Sequence, residues 1–307
     1  MRKNVGIIML GLSGFLLLVA FMAVVWAPDK AERTPLDVNT TTYLSGEAGK
    51  LNTSTGELEE NPVKATSITK IDSNASDDKV GVWVQTSCLV IDDGSTPDCV
   101  DGNDPRLISA DADVFATDRV SGLAVNGAKY LPPEATPHDG LVNKFPFDTE
   151  KKSYPYWDGT VGAAVDAVYD STVEIDGVET YKFVITIEDA GIDIAEGLPG
   201  TYDDVKEIYV EPRTGAMINQ VDDQQRYLDD GTMVLDLQLA FTDEQVDQFV
   251  RDANDNIGQL DLLGRTVPLI GFIGGGLALI VGLLLALRGG GPAQPAPSSR
   301  RDPVSVG

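Results

Sequence analysis

The sequence predicts an α+β, membrane-anchored protein in which two transmembrane helices flank a β-rich domain, an antiparallel meander that ends in an amphipathic helix. Three observations lead to this fold class. An uncharged apolar run lies near each end of the 307-residue chain. Apolar and polar residues alternate between the two runs, as they do in half-buried strands. A helical repeat of apolar residues then comes just before the second run.

The first apolar run spans residues 5–26 and is preceded by Arg2 and Lys3. A helix of about 20 apolar residues crosses a hydrocarbon core of roughly 30 Å. A cleavable signal peptide is the competing interpretation, but the run exceeds the usual ~7–15 residues and lacks an A-x-A site before Pro28. We therefore expect an uncleaved anchor here and a second transmembrane helix at residues 267–287.

The basic residues beside the two runs predict the orientation of the chain. Short cytoplasmic segments are enriched in Lys and Arg, and such residues precede the first run and follow the second. We expect residues 1–4 and 288–307 to be cytoplasmic, the latter as a disordered Gly/Pro-rich tail, and residues 27–264 to be extracytoplasmic. The protein is thus expected in the cell membrane, with the lipid bilayer as a partner.

Residues 27–264 are strongly acidic. They carry 47 acidic and 17 basic residues, a net charge of −30, against −25 for the whole chain. Such a surface repels nucleic acids and anionic headgroups. It is suited to cations or to a saline environment, and we expect no nucleic-acid partner.

The β-structure is expected mainly in residues 63–264. The preceding residues, 27–62, are polar and are interpreted as a juxtamembrane stalk or an irregular start to the external domain. Valines alternate with other residues over 80–84, as in a strand. Residues 107–118 and 119–126 are further strand candidates.

The clearest strands lie in residues 160–241, which are expected to form a meander of five or six strands. Asp176 and Gly177 supply the two positive-φ positions of a type I′ hairpin turn between two alternating segments. Thr242 and Gln245 then form a capping box. The apolar residues that follow recur at helical spacing, which predicts the amphipathic helix.

The two cysteines, Cys88 and Cys99, are expected to form one disulfide in an exported domain; the alternative is a pair of free buried thiols. A group of aspartates nearby is a weak candidate for binding a hard cation such as Ca²⁺. Their spacing does not fit the calcium-loop pattern, which favours a solvated loop. The candidate ligands are Asp92, Asp93, Asp98, Asp101 and Asp104.

The sequence contains no recognisable catalytic constellation. Its single histidine, His138, has no evident partner for a nucleophilic triad or a metal site and is expected in a surface loop. No phosphate loop, dinucleotide fingerprint or metal-binding cysteine pair occurs. We expect a protein that is not an enzyme and uses no cofactor.

Residues 140–158, G-L-V-N-K-F-P-F-D-T-E-K-K-S-Y-P-Y-W-D, form an aromatic block in a chain with only 7% aromatic residues. Two interpretations are open. The rings line the path of an apolar ligand, or they pack as a core segment in which two prolines fix an extended backbone. The candidate ligand-lining residues are Phe145, Phe147, Tyr154, Tyr156 and Trp157.

The aromatic block resembles the signature of the porin PorA-like family of actinobacterial envelope proteins, and residues 210–215, V-E-P-R-T-G, are similar to its second landmark. The resemblance implies a two-span envelope protein with a β-rich exported domain and a channel function, without catalytic residues. A membrane β-barrel has lipid-facing strands and no long apolar helices. A pore in this chain would therefore have to come from oligomerised helices.

Two functions are expected. The first, favoured by the aromatic block, is a non-enzymatic envelope protein whose exported domain binds or transfers an apolar or lipid component. The alternative is a homo-oligomeric, cation-preferring pore. Small residues in both apolar runs allow close helix packing, although glycine is also common in membrane helices generally. The helix-packing candidates are Gly11, Gly14, Gly271 and Gly275.

Overall fold

A computed structural model describes residues 2–195 and 197–288, so most of the tail predicted at residues 288–307 lies outside the described residues. The chain divides into two compact units. One is helical and contains the chain up to residue 30 and from residue 260 onwards, and the other, the β unit, is formed by residues 31–259.

The helical unit pairs the two apolar segments. Helix α1 spans Arg2–Val25 and helix α4 spans Val267–Arg288, with a short helix α2 at Pro28–Ala31 and a π-helical turn at Leu262–Thr266. Both α1 and α4 are long and apolar enough to cross a membrane. Their contacts run in opposite directions along the two segments, so the helices are antiparallel.

The β unit consists of one ten-stranded sheet in which all neighbouring strands are antiparallel. Its strand order is β4-β3-β2-β1-β10-β9-β8-β7-β6-β5. The strands are β1 (Asn39–Asn52), β2 (Glu57–Ile71), β3 (Val80–Ile91), β4 (Leu107–Asp118), β5 (Tyr154–Asp158), β6 (Ala163–Ile175), β7 (Val178–Ala195), β8 (Leu198–Glu211), β9 (Ala216–Leu228) and β10 (Met233–Phe241). Helix α3 (Asp243–Asp261) follows β10.

Strands β1 and β2 correct the interpretation of residues 27–62 as a stalk or irregular start. Both are long, and β1 lies inside the sheet between β2 and β10. The segment is polar because it is rich in threonine and serine, and threonine favours extended structure. Gly46 fits this interior position because a Cβ there would lie 1.8 Å from the carbonyl oxygen of Gln238 on β10.

The meander of residues 160–241 forms as five consecutive strands, β6 to β10. Asp176 and Gly177 have φ angles of 46° and 84°, as a type I′ turn requires. A register shift between Tyr169 and Ser171 then reverses which side of the sheet the β6 residues face. Ile175 is six positions after Tyr169, so an unbroken strand would place both on the same face. Because of the shift, Ile175 instead packs with α3.

The edges of the sheet are joined by the segment between β4 and β5. The Val125 N–H donates to the Ala116 carbonyl oxygen of β4 (2.8 Å), and the Ala124 N–H donates to that of Gly140 (2.8 Å). The Leu141 N–H then donates to the Pro155 carbonyl oxygen of β5 (2.7 Å). Main-chain hydrogen bonds therefore connect the two edge strands, which limits the exposure of unpaired edge groups.

The largest core cluster lies on the face of the sheet that we call the inner face. It contains Phe145, Phe183, Tyr202 and Ile208, all fully buried. A second cluster on β1, β2, β3 and β10 extends the core around Leu237. The core thus combines strand residues with the aromatic block.

Helix α3 covers another part of the sheet with Val250 and Ala253, which pack on Val178 and Ile218. Its capping box is formed only in part. The Gln245 N–H donates to Thr242 Oγ1 (3.2 Å), but Gln245 Oε1 accepts from the Tyr43 N–H (3.1 Å) instead of the Thr242 N–H. The glutamine side chain therefore attaches the helix to β1.

Candidate functional site: a buried carboxylate and lysine cluster

Three rings of the aromatic block lie in the core of the β unit. Phe145 is fully buried, and its ring centroid lies 4.6 Å from that of Phe183, 5.6 Å from that of Tyr154 and 5.9 Å from that of Tyr156. Tyr154 and Tyr156 are also buried. These contacts fit the core interpretation of the block, which the sequence left open.

The other two candidate rings are half-buried. The Lys144 ammonium lies 4.0 Å from the Phe147 ring centroid, and the Trp157 ring lies 4.4 Å from the His138 ring. Burial lowers the pKa of Lys144 to about 7. A surface depression on β6 and β7 is lined by none of the five candidate residues.

The two landmark segments of the sequence are in direct contact. The Phe145 N–H donates to the Gly215 carbonyl oxygen (3.0 Å), and the Thr149 N–H donates to that of Pro212 (2.7 Å). Gly215 has a φ angle of 72°, and a Cβ there would lie 2.1 Å from the Phe145 carbonyl oxygen. The segments thus form one structural element, which accounts for their both being distinctive in the sequence.

His138 is buried, so the expectation of a surface-loop histidine is wrong. Its side chain lies between the rings of Phe115 and Trp157. Nε2 is 2.8 Å from Asp113 Oδ2 on β4, and Nδ1 is 2.8 Å from the Thr136 carbonyl oxygen. The histidine therefore ties the segment that joins the sheet edges to β4.

Cys88 and Cys99 form a disulfide with a Cα–Cα distance of 5.6 Å. Its loop contains the candidate cation ligands Asp92, Asp93 and Asp98, while Asp101 and Asp104 follow Cys99. Several of these aspartates have other partners. Arg106 binds Asp104 (2.8 Å) and Asp93 (3.3 Å), and hydrogen bonds from Arg106 hold the pKa of Asp104 at about 2.

The other three candidate aspartates do not converge either. Asp92 lies 3.7 Å from the Lys64 ammonium, and Asp98 and Asp101 are exposed. Within residues 2–195 and 197–288, no group of three or more acidic, histidine or cysteine side chains is arranged to hold a metal ion. The calcium interpretation thus has no geometric support in the described residues.

The four helix-packing glycines differ in their surroundings. A Cβ at Gly271 would lie 2.7 Å from the Ala20 Cβ, and one at Gly275 would lie 2.8 Å from the Leu17 Cγ. Gly11 and Gly14 have no such neighbour within 4 Å. The contact between α1 and α4 is thus made by the glycines of α4, not by the two of α1.

Other small residues complete this contact. Gly6 packs against Ala286, and Gly282 packs against Leu10. The Ser13 hydroxyl donates to the Gly275 carbonyl oxygen (2.8 Å). The helices therefore approach closely along their length within one chain, as small interface residues allow.

The most unusual group of side chains is a buried cluster of charges on the inner face, formed by Lys206, Asp158, Asp204 and Asp222. The Lys206 ammonium lies 3.2 Å from Asp204 Oδ2, 3.5 Å from Asp222 Oδ2 and 3.6 Å from Asp158 Oδ2. The side chains of the lysine and the aspartates are at most 13% exposed. We call this group the Lys206 cluster.

Three strands bring the Lys206 cluster together. Asp204 and Lys206 are two residues apart on β8 and face the same side, Asp158 ends β5, and Asp222 pairs with Lys206 from β9. Lys206 also pairs with Ile185, a core residue of β7. The charges therefore lie at positions that the pattern of the sheet assigns to the core.

The electrostatics of the Lys206 cluster follow from its burial. Burial raises the pKa of Asp204 to about 7, although Lys206 opposes this, and the neighbouring Asp222 raises it further. Burial lowers the pKa of Lys206, but Asp222 and Asp204 more than offset that effect and hold it well above its usual value. The cluster can thus gain or lose a proton near neutral pH at Asp204.

Sequence reasoning missed the Lys206 cluster, but a signal was present. Tyr202, Asp204 and Lys206 share strand parity with Ile208 and Val210, which are core residues. Charged residues at core-facing positions of a strand are rare unless they are paired. That alternation indicates a buried ion pair on β8, but not which other strands contribute to it.

The chain combines two helices that are long and apolar enough to cross a membrane with a large, acidic antiparallel sheet formed by the residues between them in the sequence. The family model described as Porin PorA matches residues 5–284. The chain therefore belongs to the porin PorA family.

A curated relative extends this comparison. Porin PorA of Corynebacterium amycolatum is 32% identical over 127 residues, which are 36% of this chain and 30% of the relative. The matched region thus spans less than a third of the relative's length. The family match agrees with the resemblance that the sequence carries.

Proposed function

We propose that the protein forms a cation-preferring pore in the cell envelope, as an oligomer and without catalysis. In this proposal both termini are cytoplasmic and the acidic β unit is extracytoplasmic. Membership of the porin PorA family supports the proposal. The observation that carries its ion preference is the net charge of −30 in residues 27–264.

An acidic surface concentrates cations and repels anions near it. Local potentials of this kind can raise the concentration of a counter-ion several-fold, and they weaken as salt is added. Carboxylates at the approach to a pore are a known basis of cation preference. The proposed selectivity should therefore be strongest at low ionic strength.

The helical unit supports an oligomeric pore. α1 and α4 pack directly against each other along their small residues, and one closely packed pair leaves no space for a channel between its members. Many large apolar side chains on both helices remain exposed, including Phe15, Leu18, Ile270 and Ile273. Several copies of the pair could surround a pore, with these side chains facing lipid or another copy.

The pore is preferred over a carrier of lipid or another apolar ligand. The lipid hypothesis depended on rings of the aromatic block lining a ligand path, whereas Phe145, Tyr154 and Tyr156 pack in the core. Lipid binding stays a prediction without a supporting contact, and the membership of the porin family favours the pore.

Reconstitution tests the proposal. The full-length protein is purified in detergent, added to planar bilayers and studied at low and high KCl concentration. Stepwise conductance with cation preference is expected, and the preference should decline as the KCl concentration rises because screening weakens the acidic surface. Absence of conductance from protein that is folded and inserted would contradict the proposed function.

A further inference from the structure

The Lys206 cluster contains more negative than positive charge. Three carboxylates surround one ammonium group, with distances of 3.2–3.6 Å to its nitrogen. Uncompensated charge inside a protein is costly unless it is paired or neutralised. The cluster therefore calls for a further positive charge, which either a proton or a bound cation can supply.

Most oxygens of the cluster have protein partners. Asp158 Oδ1 accepts from the Thr160 and Val161 N–H groups (3.0 and 2.8 Å). Gln224 donates to Asp222 Oδ1 (2.9 Å), and Gln220 donates to Asp222 Oδ2 (3.3 Å). These bonds fix two of the three carboxylates in place.

Two buried oxygens in this region lack partners. Asp204 Oδ1 and the Tyr202 hydroxyl have no hydrogen-bond partner among the described residues, although Asp204 is 1% exposed and Tyr202 is 0% exposed. Tyr202 precedes Asp204 by two residues on the same face of β8, and it interacts electrostatically with Lys206 and all three aspartates. Buried polar atoms without a partner are rare in folded proteins, and this region contains two of them.

The geometry points to a binding site for a monovalent cation, coordinated by Asp204 Oδ1 and the Tyr202 hydroxyl within the Lys206 cluster. Three carboxylates exclude an anion, and oxygen ligands suit a hard cation such as Na⁺. Lys206 neutralises one of the three carboxylates, so up to two negative charges remain. Only two oxygens are free, fewer than the six or more ligands that Ca²⁺ and Mg²⁺ take, which favours a monovalent ion. A water molecule could bond both free oxygens, but it would leave the charge uncompensated.

Two other charged or titratable groups near the site affect the balance of charge in the Lys206 cluster. Tyr156 of β5 is buried and interacts with Lys206, Asp158 and Asp222. Arg226 of β9 lies 5.7 Å from the Tyr202 ring.

This site goes beyond the proposed pore, because the ion would bind within the β unit whether or not the protein conducts. The test is thermal unfolding of the full-length protein in detergent at pH 8, in NaCl or in choline chloride at equal ionic strength. Na⁺ is small enough to fit among the buried oxygens, whereas choline is not. A saturable rise of the unfolding temperature in NaCl beyond that in choline chloride is expected.

Two variants locate the effect. Tyr202→Phe removes only the hydroxyl and should raise the Na⁺ concentration needed for half of the stabilisation by about tenfold or more; Asp204→Asn should abolish the difference between the salts. The matched controls, Tyr227→Phe and Asp223→Asn on β9, lie outside the Lys206 cluster and should retain the full stabilisation by Na⁺. Equal unfolding temperatures of the native protein in the two salts would overturn the inference, as would a full Na⁺ effect in both site variants.

The comparison of the native protein in the two salts needs no variant to fold. Thermal unfolding does not measure conductance, so failure of the cation site and failure of the proposed pore can be distinguished.

Discussion

At the scale of single residues, the inner face of the β unit combines close aromatic packing with a few buried charges. Phe145 contacts three other rings, while Lys206 holds three aspartates. The two kinds of contact respond differently to change. Removal of a core ring leaves a cavity, whereas removal of a charge from an acidic cluster can relieve repulsion.

The first prediction concerns pH. Burial raises the folded-state pKa of Asp204 to about 7, above the value of 3.8 expected for an unperturbed aspartate. Because the folded state keeps this proton when the unfolded state has lost it, the contribution of Asp204 to stability falls as pH rises from about 4 to about 7. In choline chloride, Asp204→Asn should make the stability of the protein depend less on pH over this range.

Thermal unfolding from pH 4 to pH 8 in choline chloride measures this effect. Asp223→Asn is the control, because it removes a carboxylate from β9 outside the Lys206 cluster. The two variants should differ most in stability at pH 8. Identical pH profiles for the native protein and Asp204→Asn would contradict the assignment of the proton to Asp204.

The second prediction concerns the aromatic block. Phe145→Ala should reduce the free energy of unfolding by about 3–5 kcal/mol, because it removes a fully buried ring. Phe147→Ala is the matched control and should cost about 1 kcal/mol or less, since Phe147 is half-buried and mainly loses its contact with Lys144. Denaturant unfolding measures both. A cost of Phe145→Ala as small as that of its control would indicate that the ring lines a space instead of filling the core.

These residues also show what a sequence can and cannot indicate. Asp176 and Gly177 define their turn locally, so the sequence was sufficient to predict it. His138 was placed in a surface loop because its partner, Asp113, is 25 residues away and becomes a neighbour only after folding. The Lys206 cluster needs the register of three strands, which depends on long-range pairing that alternation alone does not specify.

At the scale of elements, one disulfide bond and one close helix contact hold neighbouring segments together. The Cys88–Cys99 disulfide joins the end of β3 to the loop that leads to β4. The glycines of α4 bring that helix close to α1.

Replacement of both cysteines by serine should lower the free energy of unfolding by about 2–3 kcal/mol, mainly because the unfolded chain gains freedom. Chemical denaturation with and without a reducing agent measures this loss. The reducing agent should destabilise the native protein and leave the double variant unchanged. An equal effect of the reducing agent on both proteins would show that the stability difference does not come from the disulfide.

Gly275→Leu should separate α1 from α4, because even a Cβ at this position lies 2.8 Å from the Leu17 side chain. Gly11→Leu is the control, since no atom lies within 4 Å of a Cβ there. Thermal unfolding of the full-length protein in detergent should show a lower midpoint for Gly275→Leu alone. Equal destabilisation by both substitutions would contradict the described helix contact.

The sequence predicted most elements but misjudged those whose signal was weak. The uncharged runs indicated α1 and α4, since a long apolar segment has few alternative interpretations. Residues 39–62 were interpreted as a stalk or irregular start because threonine and serine obscure the apolar alternation, yet they lie largely in β1 and β2. The residues between β4 and β5 form only isolated bridges, although 119–126 was a strand candidate.

At the scale of the whole molecule, the account joins two features of the chain, its apolar helices and its acidic β unit. Both lie largely within residues 5–284, which match the porin PorA family. The proposed pore assigns conduction to oligomerised helices and cation preference to the charge of −30 in residues 27–264. A preference that originates from surface charge should depend on salt, because screening extends over only about 10 Å at 0.1 M.

The reversal potential of the reconstituted full-length protein under a KCl gradient tests this central claim most directly. The account predicts a reversal potential on the K⁺ side of zero that moves towards zero when both KCl concentrations are raised at a constant ratio. A reversal potential on the Cl⁻ side, or a cation preference independent of salt concentration, would contradict the assignment of selectivity to the acidic surface.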